Sequence, residues 1–329
     1  LAAAKDAAEI YRTLTQSNQQ TFLPDLARSL NNLGLILSEL GRRDDALATT
    51  KDAAEIYRTL TQSNPQAFLP DLARSLNTLS TCLSELGRWK DALTAAEEAA
   101  NIYRNLARSN PQAFLPDLAM SLNNLGAMLY YLGQRENALS VAEEAVEINR
   151  TLVKSNPQAF LPDLAMSLNN LGTMLSGLGQ WDDALAVAEK TAGIYRNLAR
   201  SNPHAFLPSL AAGLNNLGAM RYHLGRREDA MAAAKEADDI YRTLAQSNPQ
   251  TFLPGLARNL GVYGNVLLGL ERYGEAAQAF SEGLSLLAPF FKKHPQAFSD
   301  LASALKQLYL QACQKAGREP DGDLLKKFD

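Results

Sequence analysis

Two rhythms of apolar residues run together along this chain. The short one is helical: Leu30, Leu33, Leu37 and Leu40 return at spacings of three and four and line one helix face. The long one is a return of the whole pattern every 46 residues. Leu-Pro-Asp-Leu-Ala begins at Leu23, Leu69, Leu115 and Leu161, and comes back altered at Leu207 and Leu253. Lys5–Asn18 is identical to Lys51–Asn64, and Pro116–Gly126 to Pro162–Gly172. A fixed period of this size marks stacked repeats. One hairpin cannot bury both of its apolar faces, so neighbouring units must cover them.

Each period predicts two helices. The first starts at Pro24, where a missing N–H costs nothing in a first turn. Asp25 follows, favourable at the positive helix end, and Gly41 stops the helix. The second starts near Asp44–Asp45, carries Ala46, Leu47, Ala53, Ala54, Ile56, Tyr57 and Leu60, and ends at Ser63 before the Asn64-Pro65 break. Residues Asn64–Leu69 read as a loop whose Phe68 docks between units. Residues 1–17 are the second helix of an incomplete repeat, and 24–293 hold six full hairpins. The beat slips by one residue at Phe298-Ser299-Asp300-Leu301. A helix over 299–316, with Lys306, Gln307, Gln311 and Lys315 on a polar face, is expected to cap the array, leaving 317–329 as a polar tail. The fold class is all-α, an α-solenoid of antiparallel helix hairpins. The chain opens at Leu1 in mid-pattern and is expected to be a piece of a longer protein.

The spacing Leu30-x-x-Leu33-Gly34-x-x-Leu37, followed by Gly41 and Ala46, resembles the tetratricopeptide pattern. The last unit adds Phe280 where that family often has an aromatic, while earlier units hold Thr50, Ala96, Ala142, Ala188 and Ala234. The long period and the proline before Leu-Asn-Asn-Leu-Gly look like the kinesin-light-chain type of repeat. The resemblance implies a right-handed superhelix with first helices lining a concave groove. It also implies a binding scaffold like the sensing arms of signalling and defence proteins.

Within the chain the repeats can be compared with one another. One groove position holds Asn31, Asn77, Asn123, Asn169 and Asn215; the next holds Asn32, Thr78, Asn124, Asn170 and Asn216. A carboxamide offers both donors and an acceptor, and such a ladder suits the main chain of an extended peptide. The resemblance maps the family's peptide-gripping asparagines onto Asn32, Asn124, Asn170 and Asn216. Neighbouring positions vary: Arg28, Arg74, Met120, Met166, Ala212 and Arg258 in one register; Ser38, Ser84, Tyr130, Ser176, Tyr222 and Leu268 in another; and Glu39, Glu85, Tyr131, Gly177, His223 and Gly269 in a third. Arg28, Arg74, Arg258, Tyr130, Tyr131, Tyr222 and His223 are the candidate sequence-reading residues, arginine and aromatics being common interface anchors. The alternative is that the asparagines satisfy groups inside the solenoid and the aromatics pack between helices. Trp89 and Trp181 stand with Arg43, Arg135, Arg227 and Tyr273 at the inter-helix turn and are expected to cap the hairpin. Arg221 replaces a stripe leucine and is expected to snorkel or to answer an acidic neighbour. A lysine clamp for a C-terminal carboxylate is not supported, because the matching positions hold asparagines and Gly261.

Composition narrows the function. A net charge of −3 argues against nucleic acid, and no run of about 18 apolar residues offers a membrane span. Cys82 and Cys313 are too dispersed for a disulfide framework, which suits a cytoplasmic setting; Cys82 shares a register with Ile36, Met128, Met174 and Met220 and reads as packing. Neither a phosphate loop nor a nucleophile–base set with suggestive spacing occurs, and Asp321-Gly322-Asp323 lacks the rest of a calcium loop. No catalytic residue, metal or cofactor is expected. The expected function is a non-enzymatic protein- or peptide-binding scaffold, the C-terminal ligand-recognition or sensor arm of a larger signalling or defence protein. The alternatives are an architectural, self-associating module that contacts domains preceding Leu1, and a cargo adaptor.

Overall fold

The structure, a computed structural model, describes residues 1–328. The chain divides into two compact units, Leu1–Ser155 and Asn156–Asp329. The first contains α1 (Ala2–Ser17), α2 (Gln19–Glu39), α3 (Arg43–Ser63), α4 (Pro65–Glu85), α5 (Trp89–Ser109), α6 (Pro111–Tyr131) and α7 (Arg135–Ser155). The second contains α8 (Pro157–Gly177), α9 (Trp181–Ser201), α10 (Pro203–His223), α11 (Arg227–Ser247), α12 (Pro249–Gly269), α13 (Tyr273–Lys293), α14 (Pro295–Ala316), α15 (Gly322–Leu325) and a closing 3-10 turn, Lys326–Phe328. Within each unit every long helix packs on the next in sequence, so the chain is an all-α solenoid of antiparallel hairpins.

The core repeats as the sequence does. Leu30, Leu76, Leu122, Leu168, Leu214 and Leu260, one position in six copies, are all at most 2% exposed. Burying each contributes about 1.5–3 kcal/mol. Ala46, Ala92, Ala138, Ala184, Ala230 and Ala276 are fully buried where the two helices of a hairpin meet. The facing position is glycine in five repeats and Ser80 in the other. In the last hairpin the approach is close: a Cβ on Gly264 would lie 2.6 Å from the Phe280 ring.

The expected loop between repeats is absent. Asn64 ends α3 and also caps α4, its side chain accepting from the Ala67 N–H at 3.2 Å. Asn110, Asn202 and Asn248 repeat the arrangement, and Asn156 caps α8 in the same way. Pro65 takes the first helical position, and Pro70, read as a helix start, lies inside α4. Phe68 is therefore a half-buried helix residue rather than a loop anchor. One capped residue suffices for the connection because its side chain replaces the missing helical hydrogen bond. The turns within hairpins use Gly41, Gly87, Gly133, Gly179 and Gly225, all at φ between 69° and 78°. The sixth copy is Glu271 at φ 61°, the one non-glycine residue with positive φ among those described; the left-handed conformation costs it roughly 1–2 kcal/mol.

The end of the chain also departs from expectation. The capping helix begins at Pro295, not 299. The tail read as merely polar folds back: Leu324 and Phe328 are buried, and the Phe328 ring lies 5.1 Å from Phe291 on α13. Two apolar residues four apart find a covered face, and Asp321 secures the turn by accepting from the N–H groups of Asp323 and Leu324.

Two layers result in each unit. First helices touch one another directly: α2 with α4 and α4 with α6 in the first unit, α8 with α10, α10 with α12 and α12 with α14 in the second. Second helices are bridged by long side chains. Arg58 reaches Glu98 at 2.6 Å and Arg104 reaches Glu144 at 2.7 Å in the first unit. Arg196 reaches Glu236 at 2.6 Å and Arg242 reaches Glu282 at 2.7 Å in the second. Such half-exposed pairs contribute little each, but they show how a wider gap is spanned.

Candidate functional site in the first-helix layer

Direct contact between first helices decides the fate of the asparagine rows. Asn31, Asn77, Asn123 and Asn215 are 3–7% exposed. Asn77 Oδ1 accepts from Ser121 Oγ of the next first helix at 2.9 Å. Asn31 Oδ1 and Ser75 Oγ, the same atoms one repeat earlier, are buried without a partner. These four side chains are packed within the solenoid and offer little surface to a ligand. Opposite Asn169 in the second unit the serine position is Gly213. Asn169 is half-buried there, and its Oδ1 accepts instead from Asn216 Nδ2 at 3.1 Å; Asn216 also donates to Thr173 Oγ1 at 3.4 Å.

The neighbouring row is more open. Asn32 is exposed, and Asn124, Asn170 and Asn216 are half-buried. Asn32, Asn124 and Asn170 have no side-chain hydrogen bond among the described residues. Thr78, the exception in sequence, is buried and turns its hydroxyl to the Arg74 carbonyl at 3.2 Å. Arg28 pairs with Asp25, and Arg74 with Asp71 at 2.9 Å, each one turn back on its own helix. Arg258 is exposed in the same register, with Gly255 where those acids stand. Leu35 and Met120 are exposed apolar residues on this layer, at 45% and 40%.

Tyr130, Tyr131, Tyr222 and His223 belong to a seam that the sequence patterns do not announce. The last residue of a first helix meets the first residue of the preceding second helix. Tyr131 stacks on Trp89 with ring centroids 4.1 Å apart, and Tyr130 meets Tyr131 edge-on at 5.9 Å. His223 stacks on Trp181 at 4.0 Å, and Tyr222 meets His223 edge-on at 5.9 Å. Burial pushes the His223 imidazole below its ordinary value. At the same seam Arg43 stands 4.0 Å from Glu85, and Lys315 lies 5.2 Å from the Tyr273 ring centroid. The tryptophans thus join neighbouring repeats instead of capping their own hairpins. The signal lies in residues 42 apart, a spacing that a comparison of repeats at their own period does not bring together.

Glu85 is held by Ser38 Oγ at 2.9 and 3.0 Å as well as by Arg43. Burial nonetheless raises its carboxyl above the ordinary 4.5, the serine and arginine opposing the shift. A raised acid contributes stability below its ordinary pKa and loses it as pH rises through the folded value. Glu85→Gln should therefore gain in melting temperature relative to the native chain between about pH 4 and pH 7. Thermal melts across that range check this, and a relative loss would mean that the Arg43 pairing outweighs burial.

Arg221 answers an acid, reaching Glu189 Oε1 at 3.1 Å and the Asp229 carbonyl at 3.3 Å. Cys82 is buried beside Thr50, and burial lifts its thiol to about 11. Among the described residues no cluster of His, Cys, Asp and Glu stands close enough to hold a metal ion, and no helix is long and apolar enough to cross a membrane.

Family models described as tetratricopeptide repeat match residues 26–64, 72–108 and 117–197. Several solved structures share the fold. BtubC from P. vanneervenii is 18% identical with a TM-score of 0.55, covering 76% of this chain and 92% of its own. A Rap protein complexed with competence and sporulation factor is 15% identical with a TM-score of 0.57, covering 96% and 80%. A kinesin-light-chain-like protein of Podosopora anserina with nearly identical TPR-like repeats is 19% identical with a TM-score of 0.50, covering 68% and 98%. No curated protein matches the chain. Repeats of two packed helices at a 46-residue period, the family-model matches and the shared fold agree: residues 26–64, 72–108 and 117–197 carry tetratricopeptide repeats, and the chain has the fold of that kind of solenoid.

Proposed function

We propose that this chain is a non-catalytic scaffold that grips an extended segment of a protein partner along the first-helix layer of a unit. In this reading it works in the cytoplasm as the ligand-recognition arm of a larger signalling or defence protein. The observation that carries the reading is the state of Asn124 and Asn170, half-buried carboxamides with no hydrogen bond inside the protein. A carboxamide held in place with its donors and acceptor unspent suits a main-chain amide, which offers one of each. The Rap protein of similar fold was solved in complex with competence and sporulation factor, which supports a partner held by this kind of scaffold. The exposed Leu35 and Met120 supply apolar contact beside the polar row.

The test is a selection from a displayed library of random peptides, followed by calorimetry on the peptides recovered. Asn124→Ala and Asn170→Ala should each weaken binding about tenfold, the equivalent of about 1.4 kcal/mol, with the helical signal unchanged. Full affinity in both variants with an intact fold would remove the groove from consideration. Sedimentation across concentrations addresses the architectural alternative, since a self-associating array would gain mass without any peptide.

A further inference from the structure

The first helices of the first unit carry a row of aspartates: Asp25 on α2, Asp71 on α4 and Asp117 on α6, all half-buried. Two of the three are answered one turn on by an arginine of the same helix. Arg28 pairs with Asp25, and Arg74 with Asp71 at 2.9 Å. At the third the arginine is replaced by Met120, and Asp117 has neither a hydrogen bond nor an ion pair among the described residues. Arg74 is the cation near enough to feel its charge, and that guanidinium is engaged by Asp71. Tyr103 is near as well, but its hydroxyl donates to the Pro70 carbonyl at 3.3 Å.

A second observation concerns what stands beside this carboxylate. Asp117, Met120 and Asn124 lie at i, i+3 and i+7 on α6 and so share one face. Met120 is 40% exposed, and Asn124 is the half-buried carboxamide with no hydrogen bond inside the protein. The face offers a negative charge, an apolar contact and an amide within about 10 Å along the helix, at roughly 1.5 Å per residue. That is the span of about three extended residues. Holding a carboxylate half out of water without a partner is unfavourable: burial raises the Asp117 carboxyl above its ordinary 3.8, with Arg74 opposing. A cation brought by a partner removes that cost.

We propose that Asp117 is the anchor for a lysine or arginine side chain of the bound protein segment, with Met120 against the stem of that side chain and Asn124 on the main chain nearby. The partner's cation takes the place that Arg28 takes at Asp25 and Arg74 at Asp71. Long basic side chains suit such a pair, because their methylene stems lie along apolar surface while the charged end reaches the acid. A hydrogen bond between two charged groups is about twice as strong as a neutral one. The proposal rests on the reading of the first-helix layer as a peptide groove and deepens it, naming the charge of the segment and the helix on which that charge is read.

The experiment selects a displayed random-peptide library on the full chain and, in parallel, on Asp117→Asn and Met120→Arg, with calorimetry on the peptides recovered. Peptides taken by the native chain should share a basic residue. Replacing that residue by norleucine, which keeps a stem and loses the charge, should weaken binding to the native chain about fivefold or more. The same replacement should change little in Asp117→Asn. Met120→Arg recreates the internal pair of the first two repeats and should lose the basic peptides as Asp117→Asn does; either variant suffices if the other fails to fold. Asp117→Asn should also melt above the native chain at pH 7, because an acid with a raised pKa loses stability as pH rises through its folded value. Recovered peptides with no shared basic residue, or an equal norleucine effect in the native chain and Asp117→Asn, would overturn the proposal. So would loss of binding on acetylating the peptide's N-terminus, which would make the cation a terminal amine, or an Asp117→Asn chain that melts lower and binds as tightly as the native one. The groove reading survives those results if Asn124→Ala weakens binding. Peptides that need Asp117 but ignore Asn124 would retain this anchor and discard the groove, and a native chain that recovers no peptide would remove both.

Discussion

Phe280→Ala should lower stability by about 3–5 kcal/mol, the range for truncating a fully buried aromatic. Phe280 is 0% exposed and fills the space that Gly264 leaves between α12 and α13. The converse substitution should also be costly. In Gly264→Ser the new Cβ would lie 2.6–2.9 Å from three atoms of the ring, an overpacking expected to cost about 1–3 kcal/mol. The two changes together should cost less than their sum, because they recreate the Ser80/Ala96 pair already present in the second full repeat. In an array of nearest-neighbour terms the loss should be local. Hydrogen exchange should therefore show faster opening in α12, α13 and α14 and little change in α2 to α4. Strict additivity of the two substitutions would mean that the ring and the glycine do not share one space.

Asn77→Ala should cost about 1–3 kcal/mol, because it leaves the Ser121 hydroxyl buried and unpaired. Asn77→Ala with Ser121→Ala should be less damaging than the sum of the single changes, since no buried polar group is then stranded. The neighbouring row should behave in the opposite way. Asn32→Ala, at an exposed position, should leave stability within about 0.5 kcal/mol. Denaturant unfolding of these variants separates the two rows without any ligand. If Asn77 and Asn32 tolerate alanine equally, the buried hydrogen bond contributes nothing and the distinction between the rows collapses.

Much of this protein's architecture is legible in its amino-acid pattern. The leucine stripe and the 46-residue beat predict paired helices, and the structure has them, with first helices starting at Gln19 and Pro65 where the pattern places Pro24 and Pro70. Asn64-Pro65 is a boundary, as its composition predicts, but not the edge of a loop. The propensities that break one helix also start the next: an asparagine cap followed by proline at the first position. The folded tail is not legible in the same way, because Leu324 and Phe328 gain their value only from a face on α13 that no local pattern reveals.

The candidate site divides along the same line. Both asparagine rows look alike in sequence, being adjacent residues repeated at one period. A residue on an α-helix turns about 100° from its neighbour, so Asn77 enters the contact between first helices while Asn32, in the neighbouring row, faces out. Which row does which depends on how closely α2, α4 and α6, or α8, α10 and α12, approach one another. The seam is hidden for a related reason. Arg43 with Glu85, Trp89 with Tyr131, and Trp181 with His223 are each 42 residues apart, and nothing within one repeat says that the end of a first helix will meet the start of the preceding second helix. The sequence alone determined the fold class and the repeating pairs of helices, because helix periodicity and repeat periodicity are local and cumulative. The tertiary structure decided which polar residues are spent on holding repeats together and which remain for a partner, because that is set by contacts between residues far apart along the chain.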